Sequence, residues 1–259
     1  MTMDRSRSRQ DMIARAVEEI RAARRIAAFT GAGISVESGI PPFRGPGGLW
    51  SKYDPHILDI NYFYMFPETA WVKIKEIFYD FFAQAQPNAA HHALVRLEQA
   101  GKLKCVITQN IDNLHQQAGS TEVIEFHGNS KRLVCLKCGQ RFSATPEIFN
   151  HLPPRCVSCG KILKPDFVFF GEPIPIDAHE RALAETELAD LWLVIGTTGE
   201  VYPAASVPIT AKYNGKRIIE VNLRPSEFTH TITDIFLQGK AGEVMQQIVQ
   251  LLFSEGQSG

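Results

Sequence analysis

The tightest constraint on this chain is a set of four cysteines in one short segment. Cys135, Cys138, Cys156 and Cys159 read Cys-x2-Cys-x17-Cys-x2-Cys. Each pair fits a tight turn, and two such turns can close four thiolates around one tetrahedral zinc ion. The segment between them must then fold back on itself, whatever the rest of the chain does. Gly139 and Gly160 follow the second thiolate of each pair and can relieve the strain of the turn. Two disulfides would satisfy the same spacing, but nothing marks the chain as secreted: Met1 to Gln10 are polar and Arg-rich, with no apolar stretch behind them. Zn2+ is therefore the expected occupant. Four thiolates leave no open coordination position, so its role is structural and it should not activate water. Its binding energy is folding energy, on the order of 10 kcal/mol.

The remainder reads as an α/β protein. With 259 residues, 44% of them apolar, the chain has room for a large domain and a module. A net charge of −1 argues against duplex nucleic acid as the main partner, because that binding rests on phosphate neutralisation. The apolar runs are too short to cross a bilayer, so no membrane partner is expected. Apolar runs at Ile26–Phe29, Cys105–Ile107, Val123–Phe126, Leu191–Ile195 and Arg217–Val221 predict strands. Helical segments opening at Met12, at Pro87, at residue 177 and at Ala241 alternate with them. Leu191–Ile195 is apolar throughout, as a parallel strand covered on both faces should be.

The expected fold is a Rossmann-like, doubly wound parallel sheet formed by residues 12–50, 86–128 and 164–255. A smaller module has a helical part, 51–85, and a zinc part, 129–163. Met1–Gln10 are expected to be a frayed tail and Cys105 a buried structural thiol. A cytoplasmic monomer is the expected state.

Small and polar residues cluster after three of the predicted strands, where α/β folds place ligand contacts. The first strand runs into Gly31-Ala32-Gly33-Ile34-Ser35, then Glu37-Ser38-Gly39 and Ile40-Pro41-Pro42-Phe43-Arg44-Gly45. Strand, glycine-rich turn and helix start is an arrangement that holds a pyrophosphate. The prolines favour an ordered loop presenting one aromatic ring and one guanidinium able to pair with phosphate. The next strand ends in Thr108-Gln109-Asn110-Ile111-Asp112, and a third leads to His127-Gly128.

Together these segments resemble the sirtuin family of NAD-dependent protein deacylases, with the look of its bacterial and archaeal members. The resemblance covers about residue 26 to 245, in family order. It rests on Gly31 to Pro41, Phe43-Arg44-Gly45, Gly48-Leu49-Trp50, Thr108 to Asp112, Leu114-His115, His127-Gly128, the four cysteines, Phe170-Gly171-Glu172 and Gly196-Thr197-Thr198. It implies NAD as co-substrate and an acyl-lysine protein or peptide as partner, meeting in a cleft. By position, Gly31, Ala32, Gly33, Glu37, Phe43, Arg44 and Trp50 would hold the phosphates and the nicotinamide side. Gln109 would bind the nicotinamide ribose. Asn110, Ile111 and Asp112 would form the nicotinamide pocket and order water, with Asn110 counted among the catalytic residues. Gly196, Thr197, Thr198, Asn222 and Ala241 would surround the adenosine half. Val168, Phe169, Phe170 and Gly171, with Glu200 and Val201 opposite, would flank an extended substrate by strand addition. His127 would be the general base.

The chemistry favours a histidine in that role. Cleaving the nicotinamide–ribose bond leaves oxocarbenium character that the amide oxygen of an acylated lysine can capture, after which a base must take a ribose hydroxyl proton. An imidazole near neutral pKa suits that step. His91 and His92 sit at a helix start and His151 in the zinc loop; His115 fits a structural hydrogen bond better than a catalytic one. Three departures from the family pattern stand out. Gly199-Glu200 replace small apolar residues, Arg224 stands where Glu is common in the adenosine-side loop, and Trp71 to Phe78 lack the Tyr-x-x-Arg of members that prefer succinyl or malonyl groups. An apolar acyl pocket, taking acetyl and longer chains, is the expectation. Transfer of ADP-ribose to protein and a non-catalytic NAD-sensing zinc adaptor are the alternatives.

Overall fold

The computed structural model describes residues 2–45 and 47–254, so the expected domain end at 255 lies outside them. In chain order its elements are α1 (Thr2–Ala22), β1 (Ile26–Thr30), α2 (Ile60–Met65), α3 (Pro67–Ile74), α4 (Ala89–Gln99), β2 (Leu103–Thr108), α5 (Leu114–Ala118), β3 (Val123–Glu125), β4 (Gly128–Cys135), β5 (Arg141–Ser143), β6 (Leu163–Phe167), α6 (Ile176–Leu188), β7 (Leu191–Ile195), α7 (Ser206–Tyr213), β8 (Arg217–Asn222), β9 (Ile235–Gln238) and α8 (Ala241–Ser254).

Six strands form one parallel sheet in the order β3-β2-β1-β7-β8-β9. Once the three strands of the small sheet are passed over, this is the doubly wound order 3-2-1-4-5-6. The order reverses between β1 and β7. Their register runs without a break from Ile26↔Leu191 to Thr30↔Ile195, so the two strands end side by side and open a crevice there.

Each face of the sheet is covered by its own apolar cluster. Ile13, Val17 and Ile20 of α1, Leu94 and Leu97 of α4, and Val244, Met245 and Ile248 of α8 bury one face. Ala178 and Ala182 of α6 and Val207 and Ala211 of α7 bury the other. All five residues of β7 are buried, which is why that strand shows no polar alternation. The opening helix starts at Thr2, not Met12. The expected frayed tail is continuous with it, since no glycine or proline interrupts residues 2 to 22 and Arg and Gln are good helix formers.

The small domain has one core, not two. Trp71, Ile74, Ile77 and Phe78 of the helical segment pack with Leu133, Cys135, Phe149, Cys156 and Leu163 of the zinc segment. Trp71 Nε1 donates to the Leu163 carbonyl (2.8 Å) across the two segments. The antiparallel sheet β5-β4-β6 takes in Lys164 to Phe167, expected on the large-domain side; β6 pairs with β4 from Cys135↔Leu163 to Gly128↔Phe167. The chain crosses between domains at Gly128 and again after Phe167, and the crossings are tied together by Val168 N donating to the His127 carbonyl (2.8 Å). Gly128 has φ +78°, and a Cβ there would lie 2.3 Å from the Asp166 carbonyl oxygen. No side chain fits beside His127 at this crossing.

Candidate active site

A crevice of about 690 Å³ runs along the carboxyl ends of the parallel strands and under the small domain. Its floor is the β1–β7 switch point. Gly31 N donates to the Ile195 carbonyl (3.0 Å) and Gly33 N to the Gly196 carbonyl (2.8 Å). A Cβ on Gly33 would sit 2.7 Å from Gly196 Cα, and one on Gly196 (φ +65°) would sit 2.3 Å from Ile34 N. These glycines are needed first for each other: two backbone turns pass too closely for any side chain, leaving a bare peptide floor. The expected helix start after the turn is a short 3-10 helix, Ala32–Ser38.

One wall is the loop 42–50. Leu49 N donates to the Pro42 carbonyl (2.9 Å) and Trp50 N to that of Phe43 (3.1 Å), closing the loop on itself. It projects Phe43, Arg44 and Trp50 into the crevice. The rings form a row, Phe43 to Trp50 at 5.4 Å and Trp50 to Phe170 at 6.4 Å between centroids.

His127 stands where β3 gives way to β4. Its Nδ1 lies 3.0 Å from the Gln109 carbonyl oxygen. A carbonyl only accepts, so Nδ1 carries the proton and the neutral ring keeps its lone pair on Nε2. Burial holds the imidazole below its ordinary pKa of 6.5, the Gln109 bond offsetting part of that. Gln109 in turn donates from Nε2 to Thr197 Oγ1 (3.0 Å), bridging the two halves of the sheet. Asn110 uses both amide hydrogens on Gly31 O (3.2 Å) and Ser35 Oγ (3.1 Å), which leaves its carbonyl oxygen as an acceptor in the crevice. Ser35 Oγ donates onward to Asp112 (2.7 Å).

The opposite wall is Val168 to Glu172. Phe170 is bonded on both sides to the helical segment, its N–H to Leu58 O (2.8 Å) and its carbonyl to Ile60 N (3.0 Å). Phe169 and Val168 spend their N–H groups on Glu172 Oε2 and His127 O. For strand addition, the described backbone keeps fewer groups than expected, chiefly those of Gly171 and the Val201 N–H across the mouth. Lys164, which the sequence shows only as a cation in an apolar run, holds this wall. It is 2% exposed, lies 4.0 Å from the Phe169 ring centroid, pairs with Glu172 (2.9 Å) and donates to the Phe167 carbonyl (2.6 Å). Desolvation lowers its pKa and the Glu172 charge opposes that fall. No local signal in the sequence links Lys164 to Glu172.

The crevice is lined by His127, Asn110, Gly31, Ala32, Gly33, Glu37, Phe43, Arg44, Trp50, Gln109, Ile111, Gly196, Thr197, Thr198, Asn222, Ala241, Val168, Phe169, Phe170, Gly171 and Val201, all singled out in the sequence. Asp112 and Glu200 do not line it. Asp112 lies behind Ser35, where burial raises its pKa while the Leu114 N–H and Ser35 stabilise the charge. Glu200 accepts from Thr198 Oγ1 (3.2 Å). Glu37 lines the crevice but also accepts from Gly242 N (2.6 Å), capping α8. None of Trp71 to Phe78 reaches the crevice; its apolar lining on that side comes from Leu58, Ile111 and Phe167.

The four cysteine sulfurs all lie within 4.8 Å of one another, and Cys135–Cys159, Cys138–Cys156 and Cys138–Cys159 stand at 3.5, 3.7 and 3.9 Å. Four sulfurs about 2.3 Å from one tetrahedral zinc are about 3.8 Å apart. The knuckles are copies of each other: Gly139 N donates to Cys135 O and Gly160 N to Cys156 O, both at 2.8 Å. The residues present therefore fit a structural zinc ion.

A family model described as Sir2 family matches residues 31–203. The NAD-dependent protein deacylase of Thermococcus kodakarensis is 45% identical over 92% of this chain and 95% of that protein. NAD-dependent protein deacylase 2 of Pyrobaculum aerophilum is 46% identical over 86% and 88%. Among solved structures, a Sir2 homologue–NAD complex aligns with a TM-score of 0.86 at 42% identity, covering 93% of this chain and 94% of that one. A Sir2 variant with deacetylated p53 peptide and 3′-O-acetyl ADP-ribose aligns at 0.86 and 36%, covering 92% and 97%.

Proposed function

The chain belongs to the Sir2 family, and we propose that its crevice deacylates lysine side chains of proteins at the expense of NAD, releasing nicotinamide and 2′-O-acyl-ADP-ribose. The observation that carries this reading is the orientation of His127. An imidazole whose Nδ1–H is committed to the Gln109 carbonyl offers Nε2 as a base, and burial keeps it unprotonated at neutral pH. NAD bound here would supply a ribose from whose C1′ nicotinamide can leave and whose neighbouring 2′-hydroxyl can take the acyl group, with one water consumed as the lysine amine is freed.

The chain's own residues do the rest. The bare peptide floor at Gly31, Gly33 and Gly196 admits a phosphate backbone that side chains would block. Arg44 can neutralise it. The Asn110 carbonyl, fixed by two donated bonds, can hold a hydroxyl or a water in place. Phe43, Trp50 and Phe170 keep bulk water from the reacting carbon. His127 Nε2 takes the ribose hydroxyl proton, a role worth ~10²–10⁴-fold. The acyl-lysine peptide enters between Gly171 and Val201 in extended form. The acyl group lies against Leu58, Ile111 and Phe167. The crevice cations Arg44, Arg224 and Lys240 belong to other walls, so acetyl and longer uncharged chains suit this pocket better than dicarboxylyl groups.

The zinc site is remote from this chemistry and serves folding. A reducing cytoplasm suits four cysteines kept as thiolates, and a monomer suffices because one chain supplies every wall of the crevice. No helix among the described residues is long and apolar enough to cross a membrane.

Nicotinamide release on acetyl, butyryl, myristoyl and succinyl peptides tests the reading. Turnover of the first three, lost in His127→Ala, is the expected result. A preference for succinyl would overturn the acyl-pocket assignment, and turnover undiminished in His127→Ala would overturn the mechanism.

A further inference from the structure

We infer that the adenosine end of the crevice takes a phosphate on the adenosine ribose, so that NADP+ binds there as well as NAD+. This rests on the functional reading in one respect only: the dinucleotide's adenosine half lies over the ends of β7, β8 and β9.

The charge at that end is one-sided. Arg224 follows β8 and Lys240 follows β9, and both line the crevice. The Arg9 guanidinium of α1 lies against the same turn, where a Cβ on Gly239 would come within 3.0 Å of its Nη2. Arg224 has no carboxylate partner among the described residues. Lys240 reaches only the exposed Glu243, at 3.4 Å. The two carboxylates that line the crevice are already engaged, Glu37 on the Gly242 N–H and Glu172 on Lys164.

The position of Arg224 gives this charge a specific meaning. β7, the Gly196–Gly199 turn, α7 and β8 form the βαβ unit that follows the switch point. In dinucleotide-binding units, an acidic residue beyond the second strand reads the ribose 2′-hydroxyl, and an arginine nearby accommodates a 2′-phosphate instead. Arg224 lies just beyond the end of β8 and lines the crevice. Planar guanidinium is also the side chain best matched to phosphate oxygens.

The loop that carries Arg224 is fixed from beneath. Glu220, 1% exposed, accepts hydroxyl hydrogens from Ser226 (2.6 Å), Thr229 (2.8 Å) and Thr233 (2.8 Å). Asn222 Nδ2 donates to the Thr197 carbonyl (2.7 Å) and Gln238 Nε2 to that of Leu223 (3.2 Å). A cation on a preordered loop loses little freedom on meeting its anion. The exposed Glu227 shares the loop, its N–H bonded to the Thr198 carbonyl, and with Glu220 beneath the loop, Glu200 on Thr198 and Glu243 on Lys240 it opposes the effect.

Calorimetric titration of the full chain with NAD+ and with NADP+ decides the matter. The expected result is an NADP+ Kd within tenfold of that for NAD+. Arg224→Glu should raise the ratio of the two constants at least tenfold, and Arg224→Lys should restore part of it. NADP+ binding weaker by more than tenfold in the wild-type chain, or a ratio that Arg224→Glu leaves unchanged, overturns the inference. Deacylation with NAD+ but no NADP+ binding would sink this inference alone. Both dinucleotides bound without deacylation would sink the functional reading alone.

Discussion

At the scale of the residue, the site turns on how one ring is held. His127 sits between a carbonyl that accepts a hydrogen bond from its Nδ1–H and a peptide crossing that admits no side chain beside it. Its folded pKa lies below the ordinary 6.5 because burial disfavours the imidazolium more than the Gln109 carbonyl favours it. A base must be unprotonated to act, so kcat/KM should stay level as pH falls from 8 to 6.5 and decline only below that, with the slope of a single proton. A pH–rate profile with NAD subsaturating checks this; an acid limb centred above pH 7 would mean that a different group is the base or that an anion stabilises the His127 imidazolium. The place of His127 in the crevice was legible because it directly follows a strand end and precedes a glycine. Lys164 was not. Its function is to neutralise Glu172 and cap two carbonyls inside an apolar wall, contacts that a linear reading cannot pair. Asp112 is the opposite case: its place in a polar cluster suggested a ligand contact, whereas the fold puts Ser35 in front of it.

At the scale of the element, the zinc knuckles and the helical segment behave as one piece. Element type and order were readable because strands buried on both faces and amphipathic helices leave different patterns, as β7 and α8 do. The partnership of the two small-domain segments was not, since Trp71 and Leu163 meet through a hydrogen bond spanning 92 positions. β6 was misplaced for a related reason: an extended apolar stretch does not say which sheet it joins. The shared core carries a prediction. Cys135, Cys156 and Leu163 are buried beside Trp71, Phe149 and Phe78. Stripping the metal leaves four sulfurs within 4.8 Å of one another with no cation among them. Structural zinc is worth on the order of 10 kcal/mol in such sites, so chelation should melt α3 along with the knuckles. One zinc released per chain, together with a loss of near-ultraviolet signal from Trp71 and Tyr79, is the expected outcome. A zinc-free chain with an unchanged Tm would show that the helical segment stands on the large domain alone.

At the scale of the whole molecule, two helices on the β1–β3 half of the large domain, α4 and α5, meet over a buried pair of histidines. His91 of α4 and His115 of α5 lie 4.9 Å apart between ring centroids, both essentially inaccessible to solvent. His115 Nε2 is bonded to Thr30 Oγ1 (2.9 Å) at the end of β1, and His91 Nδ1 accepts from Asn88 N (3.3 Å). The other nitrogen of each ring has no partner among the described residues, so neither ring has a carboxylate to stabilise a proton. Desolvation lowers His91 to about 4 and holds His115 well below its usual 6.5. Their folded values lie beneath the unfolded one, so the stability they confer is complete above pH 6.5 and drains away as pH falls towards their folded values. For His91 alone the full window is worth on the order of 3 kcal/mol. Between pH 6 and 5 the unfolded chain carries most of both protons and the folded chain few, so the pair contributes a slope approaching about 2.7 kcal/mol per pH unit, to which buried His127 adds with the same sign. Urea midpoints in that interval should fall accordingly, and His91→Gln should cut the slope by about a third to a half. Ordinary carboxylates titrate lower, and buried Asp112, whose pKa is raised, acts with the opposite sign, so neither imitates the effect. A flat stability curve from pH 6.5 to 5 would mean that the paired rings bind protons in the native state, with water reaching the seam beneath the crevice floor.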